Sequence, residues 1–579
     1  MGKFLLGLLT GFVVTILIFV IAGVAIASLR TKAPAVADGS TLILELTGDA
    51  PEAPSFDYSV LPVLQNRTPV TVEELWASLR HAAADSRIKA VIFEPSGASV
   101  GWAKMQEIRS DLEQFRKSGK PLIAYLKAPN TRDYYMATAC SKIYMQPADR
   151  LDLKGVALEL MYFKNTLDKL GVKVDVEHVG KYKDYGDQFT RASMSPETHE
   201  VMSGLADELY ADLVRTIAKG RNKSEDTIRA VIDDGPFLSK QALAKGLVDE
   251  LRYEDQVLGE LKTTLKQAEI KKISEHDYAN IADTSAIGGD KIAFVVGEGS
   301  ISRGDSETST GNGLESEAFD KMLNKVANDT TIKGVIVRID SPGGEVTASD
   351  DMWRAMNELH KKKPVVISMS DDAASGGYYM AMSGDTIIAY PGTITGSIGV
   401  VFGKPDLHGL YDKLGVTKDF VSRGRFALIE SDYASLSDAE RAKLREAIDI
   451  DYEDFVAKVA AARRKPVSAI EPIAQGRVWL GDQAKANGLV DELGGLDRAI
   501  EVIKAKSGIA ASGKVNLVLY PAKRSLFELL LKTNVDSDAD ALLSGVGLAP
   551  LRAAWHDAGL RVWMRGGMLR MLPFTIQIQ

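Results

Sequence analysis

Two short loops in the second half of this 579-residue chain carry residue types suited to acyl-transfer chemistry. Asp371-Asp372-Ala373-Ala374-Ser375-Gly376-Gly377 follows the β-rich run Pro364–Ser370. A serine followed by two glycines at a strand-to-helix turn exposes a hydroxyl with backbone donors beside it. The same residues also suit a helix N-cap serine in a glycine-rich loop. Ser341-Pro342-Gly343-Gly344 follows the run ending Arg338-Ile339-Asp340. Its glycines permit a tight turn whose N–H groups face a ligand, although a purely structural turn is the commoner use of Pro-Gly-Gly. Both loops sit at the C-terminal ends of strands, where α/β proteins build their sites, and this favours the catalytic reading.

A serine nucleophile needs a base, and histidine is a poor candidate here. The 7 histidines are scattered, none lies in either loop, and His360 and His408 have no evident carboxylate partner in sequence. The single cysteine, Cys140, excludes an intrachain disulfide and a CxxC metal site, and its apolar neighbours mark it as a core thiol. No metal and no cofactor is expected. The remaining base is a lysine whose ammonium is destabilised by burial.

An internal repeat identifies that lysine. Ile88–Ile92 matches Ile332–Ile336, Tyr134–Ala137 matches Tyr378–Ala381, and Asp168–Val172 matches Asp412–Val416, each pair 244 positions apart. Gly246–Glu250 matches Gly488–Glu492 in the same order. The chain therefore carries two copies of one domain. At the same offset Ser375, Gly376 and Gly377 face Thr131, Arg132 and Asp133, and Ser341–Gly344 faces Gly97-Ala98-Ser99-Val100. Conversely Gly180-Lys181-Tyr182-Lys183 faces Gly424-Arg425-Phe426-Ala427. One copy keeps the serine and the other keeps the lysine.

The elements that must position these residues read as α/β. Short β-rich runs (Thr41–Leu46, Ala90–Phe93, Leu122–Leu126; then Lys291–Val296, Gly334–Ile339, Pro364–Met369) alternate with helical stretches such as Val72–Ala84 and Glu317–Ala327. Strands separated by helices imply right-handed crossovers and a largely parallel sheet in each copy. Long amphipathic helices are expected over Pro196–Lys219 and Ser437–Ala462. The domains are read as 1–32, an anchor; 40–263, the copy carrying the lysine; 264–290, a linker; 291–520, the copy carrying the serine; and 521–579, a tail. Ser302–Gly313 has the composition of a mobile surface segment.

Phe4 to Ser28 contains no charged residue, flanked by Lys3 and by Arg30 and Lys32. About 20 apolar residues span a bilayer core, so a single N-terminal transmembrane helix is expected in contact with membrane lipid. A cleaved signal peptide with Ala25-Ile26-Ala27 as its small-residue site is the competing reading, disfavoured because the apolar run exceeds an ordinary signal core. A net charge of −8 without a basic block argues against nucleic acid as a partner.

Asp340–Gly344, Ala374-Ser-Gly-Gly-Tyr378, Thr395-Gly-Ser-Ile-Gly399 and Gly180-Lys-Tyr-Lys183 together resemble signal peptide peptidase A in its long, duplicated form, peptidase family S49 of the Clp protease/crotonase-like superfamily. The resemblance covers nearly all of residues 40–500. It implies a serine endopeptidase with Ser375 as nucleophile, Lys183 as general base, oxyanion donors at Gly376 and at Gly343 or Gly344, and Ser397 orienting the lysine. On spacing alone Ser397 reads equally as a turn-stabilising serine. The resemblance further implies signal peptides as substrate, a homotetramer, and a single-pass protein of the bacterial inner membrane with a periplasmic catalytic body. A crotonase-type hydratase or thioesterase and a non-catalytic membrane scaffold are the alternatives.

Overall fold

Strands in both halves are short runs of Val, Ile and Leu buried on both faces, as parallel strands covered by helices must be. In the computed structural model, residues 36–54, 56–57, 69–279, 289–304, 313–522, 524–525, 567–572 and 577–578 are described, with isolated positions between 7 and 21. In the first copy β1 (Ser40–Gly48), β2 (Ile88–Ala98), β3 (Leu122–Leu126) and β4 (Lys142–Met145) lie in one sheet, and β5 (Lys173–Val179) leaves it. β6 (Glu250–Leu251) and β7 (Lys271–Ser274) form its edges, in the all-parallel order β6-β4-β3-β2-β1-β7.

The second copy supplies β8 (Asp290–Glu298), β9 (Ile332–Ser341), β10 (Gly343–Glu345), β11 (Val365–Ala374), β12 (Thr386–Ala389), β13 (Ile394–Gly396), β14 (Val400–Asp406), β15 (Val478–Leu480), β16 (Glu492–Leu493) and β17 (Val515–Tyr520). Six of these repeat the first arrangement strand for strand, β16-β12-β11-β9-β8-β17, again all parallel. β7 is thus the counterpart of β17, and residues 271–274 of the expected linker belong instead to the first sheet.

Helices α1 (Val72–Ala84), α2 (Trp102–Arg116), α3 (Thr131–Ala137) and α4 (Pro196–Arg221) serve the first copy. α5 (Ser316–Asn328), α6 (Val346–His360), α7 (Gly376–Ala381), α8 (Asp438–Ala462) and α9 (Leu496–Lys506) serve the second. Their ends are written in sequence. α1 starts in a Thr71/Glu74 capping box, and α4 has Ser195 as cap, Pro196 in its first turn and Asn222 in the left-handed conformation at its end.

A third sheet joins the copies. It places the short strands Leu314–Glu315 and Ile301–Ser302 beside β10, then a strand from the tail, β18 (Gly567–Met571), then β14, then β5. β14 and β5 are antiparallel from Val400 opposite Val179 to Asp406 opposite Lys173. Most of loop 302–313 and of the tail falls outside the described residues. So does most of the expected anchor, of which Val14, Leu17, Ile18 and Ile21 are helical and exposed. Among the described residues no helix is long and apolar enough to cross a membrane.

The two copies also share a buried ionic network. Arg338 of β9, 2% exposed, donates to Glu52 at 2.7 Å, to Ser368 at 3.0 Å, to Ser370 at 3.1 Å and to Glu107 of α2. Lys104 of α2 lies 2.8 Å from Asp340, and its ammonium stays charged despite burial because Asp340 and Glu52 face it. Asp371 of the second copy accepts from the N–H groups of Gly101 and Lys104 at 3.0 and 2.9 Å, capping α2 across the boundary. Arg338→Ala would leave Glu107 buried without its cation and Glu52 with Lys104 alone. It is expected to destabilise the folded chain by about 3–5 kcal/mol, read as a shifted midpoint in denaturant unfolding.

Candidate active site

Each functional side chain reaches the site from a different element. Ser375 ends β11 and starts α7 with φ 54° and ψ −109°, a conformation rare for a residue with a side chain. Its N–H is held by Gly396 O at 2.8 Å. Ser397, just beyond β13, is likewise at positive φ, 49°, with its N–H on Arg477 O at 2.8 Å. Lys183 arrives from the first copy, where the chain leaves β5 through Gly180 and is tied by Tyr182 N–H to Gln475 O at 2.8 Å.

The three side chains meet in a fully buried cluster. Lys183 Nζ lies 2.8 Å from Ser375 Oγ, 2.9 Å from Ser397 Oγ, 3.0 Å from Ser397 O and 2.5 Å from Met571 O. Burial pushes the Lys183 ammonium well below the usual lysine range; Asp184 opposes this, and the nearby charge of Arg570 adds to it. A neutral amine beside a serine hydroxyl is a base, and no metal or cofactor is needed to make it one. Among the described residues no group of side chains could hold a metal ion.

Two glycines are required where backbones converge. Gly343 has φ +98°, and a Cβ there would lie 2.1 Å from Arg570 O and 2.6 Å from Gly376 N. The N–H of Gly343 donates to Ser341 Oγ at 3.2 Å, and a Cβ on Gly376 would lie 3.1 Å from Gly344 N, so the three amides named from the sequence share one small region. Gly476 has φ +74°, and a Cβ there would lie 2.6 Å from that of Lys183.

Other residues weighed in the sequence lie elsewhere. Lys181 is exposed, with Nζ 4.9 Å from the Tyr182 ring centroid. His360 and His408 do have carboxylate neighbours, Asp385 at 3.1 Å and Asp412 at 3.6 Å, but neither histidine hydrogen-bonds Ser375. Cys140 is buried, and burial pushes its thiol up to about 12. The sequence did not single out Met571 and Arg570, because their proximity to the site depends on β18 returning from a tail with irregular apolar spacing.

Comparison with known proteins places the chain among peptidases. The sequence profile of peptidase family S49 matches twice, over residues 114–269 and 357–510. The chloroplastic serine protease SPPA of Arabidopsis thaliana is 36% identical over 457 residues, covering 78% of this chain and 68% of that protein. Protease 4 of Salmonella typhi is 33% identical, covering 73% and 70%, and Protease 4 of Haemophilus influenzae is 31% identical, covering 73% and 71%.

Gly476→Ala should shift the Lys183 backbone and strain the turn. Expected are a loss of about 1–3 kcal/mol of stability in unfolding and slower labelling of Ser375 by a fluorophosphonate.

Proposed function

Because the chain belongs to peptidase family S49, with the S49 domain twice in tandem on an α/β scaffold, we propose that this serine peptidase cuts with a Ser375–Lys183 dyad shared between its two copies. The observation that carries this reading is the 2.8 Å approach of a fully buried lysine amine to the hydroxyl of a serine in a strained backbone conformation. Neutral Lys183 takes the Ser375 proton as the oxygen attacks the peptide carbonyl. The N–H of Gly376 and one from the Gly343/Gly344 pair receive the developing oxyanion, each such donor contributing about 3–4 kcal/mol to the barrier reduction. Protonated Lys183 then gives its proton to the leaving amine, and water activated by the same amine releases the acyl group. Ser397 orients Nζ through its hydroxyl and carbonyl oxygens.

The Clp protease/crotonase-like fold is supported by the pair of matching all-parallel sheets. We assign the substrate as signal peptides, and the site as the periplasmic side of a bacterial inner membrane, held by lipid contact of the charge-free run Phe4–Ser28. The motif resemblance supports all three assignments, and the apolar run supports the anchor.

A homotetramer is supported by the repeat itself. β5 of the first copy pairs with β14 of the second within the chain. The counterpart of β5 in the second copy, residues 417–423, is exposed and outside any strand, with Val421 91% exposed. The first copy of a neighbouring subunit offers the missing partner at residues 156–162, the counterpart of β14, and such a head-to-tail joint is one from which a ring can be built. Val421→Glu is expected to lower the mass of the detergent-solubilised assembly, measured by light scattering.

Lys183→Ala and Ser375→Ala should each reduce peptide hydrolysis by about 10³-fold or more while leaving the far-UV spectrum unchanged. Ser397→Ala should cost less. Since only the neutral amine accepts a proton, kcat/KM should fall on acidification as Lys183 becomes charged. That limb should lie well below the ordinary lysine value of about 10.4, and should be absent from the residual activity of Lys183→Ala. Full hydrolysis by the Lys183→Ala protein would remove the dyad.

A further inference from the structure

The cleft over the dyad is filled by the chain's own tail. β18 runs antiparallel to β10 on one side, with Met571 opposite Gly343 and Arg570 opposite Gly344, and antiparallel to β14 on the other, with Leu569 opposite Val401. Leu572 N–H donates to Pro342 O at 2.7 Å, and Met571 O accepts from Lys183. A strand bonded on both edges, with a carbonyl on the amine that bonds the serine hydroxyl, is the geometry of a peptide bound by strand addition.

Alternation along β18 sends its side chains to opposite sides. Leu569 and Met571 pack with Tyr185, Phe189 and Val401. Arg570 points the other way and is 1% exposed. Its guanidinium lies 3.8 Å from the Tyr379 ring centroid and 5.1 Å from that of Phe455, with Nη1 3.5 Å from Val346 O. Two carboxylates feel its charge without an ion pair to it, and one of them, Asp350, is paired with Lys458 at 2.6 Å. Burial pushes Asp451 up and the Arg570 charge counters this; Asp350, bonded by Lys458 and Tyr379, is held down in part by the same charge. Burying a cation is costly unless its surroundings compensate, and two aromatic faces with two carboxylates do so.

We propose that this pocket, lined by the Tyr379 and Phe455 rings and the Val346 carbonyl, is a specificity subsite that takes an arginine or lysine side chain of the substrate, flanked in sequence by apolar residues. The proposal rests on the dyad reading and adds to it the charge of the peptide that the dyad cuts. Arg570 Nε has no hydrogen-bond partner among the described residues, so the pocket reads positive charge and a stacking face rather than the full guanidinium fork, and lysine fits as well. The bound cation also serves the chemistry, since its charge disfavours a second cation on Lys183. Secretory signals offer the required pattern, a basic flank against an apolar run.

The test uses the full chain and internally quenched peptides Gly-Met-Leu-X-Met-Leu, with X as Arg, Lys, norleucine or Glu. Expected kcat/KM falls in the order Arg, Lys, norleucine, Glu, with Arg at least about tenfold above norleucine. In parallel, Arg570→Glu puts a carboxylate against Asp350 and Asp451 and expels the tail strand, so a fluorophosphonate should label Ser375 several-fold faster than in the unaltered chain. Equal rates for the Arg and norleucine peptides, an unchanged labelling rate, or a labelled Ser375 with no peptide cut by either form would overturn the subsite and leave Ser375 as nucleophile. A Ser375 that takes no label in either form overturns the dyad, and the subsite with it.

Discussion

The antiparallel register between β5 and β14 is the constraint on which the site depends. It is the joint that carries a lysine of one copy to a serine of the other. A slip of one residue would turn every β5 side chain to the opposite face and displace the loop that follows. Charge pins the register. Asp175 accepts from the Leu436 N–H at 2.7 Å, and Glu177 is bound at 2.7 Å by both Arg441 and Arg445 of α8. These arginines belong to the serine copy and the carboxylates to the lysine copy. The pairing is therefore specified from both sides before Lys183 is reached.

The first copy has a carboxylate where the second has a glycine beside Ser375. Asp133, standing where the second copy has Gly377, accepts from Gly97 N–H at 2.9 Å and Ala98 N–H at 3.1 Å. These donors stand opposite Ser341 and Pro342 of the second copy, and the same carboxylate also joins the capping box of α3. Burial raises the Asp133 carboxyl, which those backbone bonds oppose. Where the first copy lacks the serine, a carboxylate bonds buried N–H groups, which would be destabilising without a partner. That end of the first sheet is used structurally. α2 is capped by Asp371 and holds the network around Arg338.

Much of this was legible in the sequence, for identifiable reasons. Strand runs and the 244-residue offset follow from local composition and self-similarity, so the two sheets and their shared order were within reach. Ser375 and Lys183 stood out because each copy has lost what the other keeps. Arg338 is a further signal in the sequence, a cation inside the apolar run Val335–Ile339, which predicts buried carboxylate partners. Residues 271–274 looked like linker because an edge strand needs little apolar patterning on its outer side. The role of residues 567–572 lay beyond sequence logic. Their pairing with β10 and β14 spans more than 150 residues, and no local periodicity encodes such a return.

The hydrogen bonds of Lys183 connect these features. Two of its neighbours, Ser397 O and Met571 O, are carbonyls and can only accept. A neutral amine shares its two hydrogens among these carbonyls and Ser397 Oγ and keeps a lone pair for a hydroxyl proton, and Ser375 Oγ stands within reach to supply it. An ammonium would have three hydrogens and nothing with which to take a proton, and burial disfavours it in any case. One of the two carbonyls belongs to the strand lying in the cleft. A peptide that replaces β18 in the same register would present its own carbonyl to Nζ and keep water from it, and it is this burial, not the carbonyl, that favours the neutral amine. On this reading the positive φ of Ser375 and Ser397 has a purpose. It turns both side chains toward one buried nitrogen, where an extended or helical backbone would direct them elsewhere.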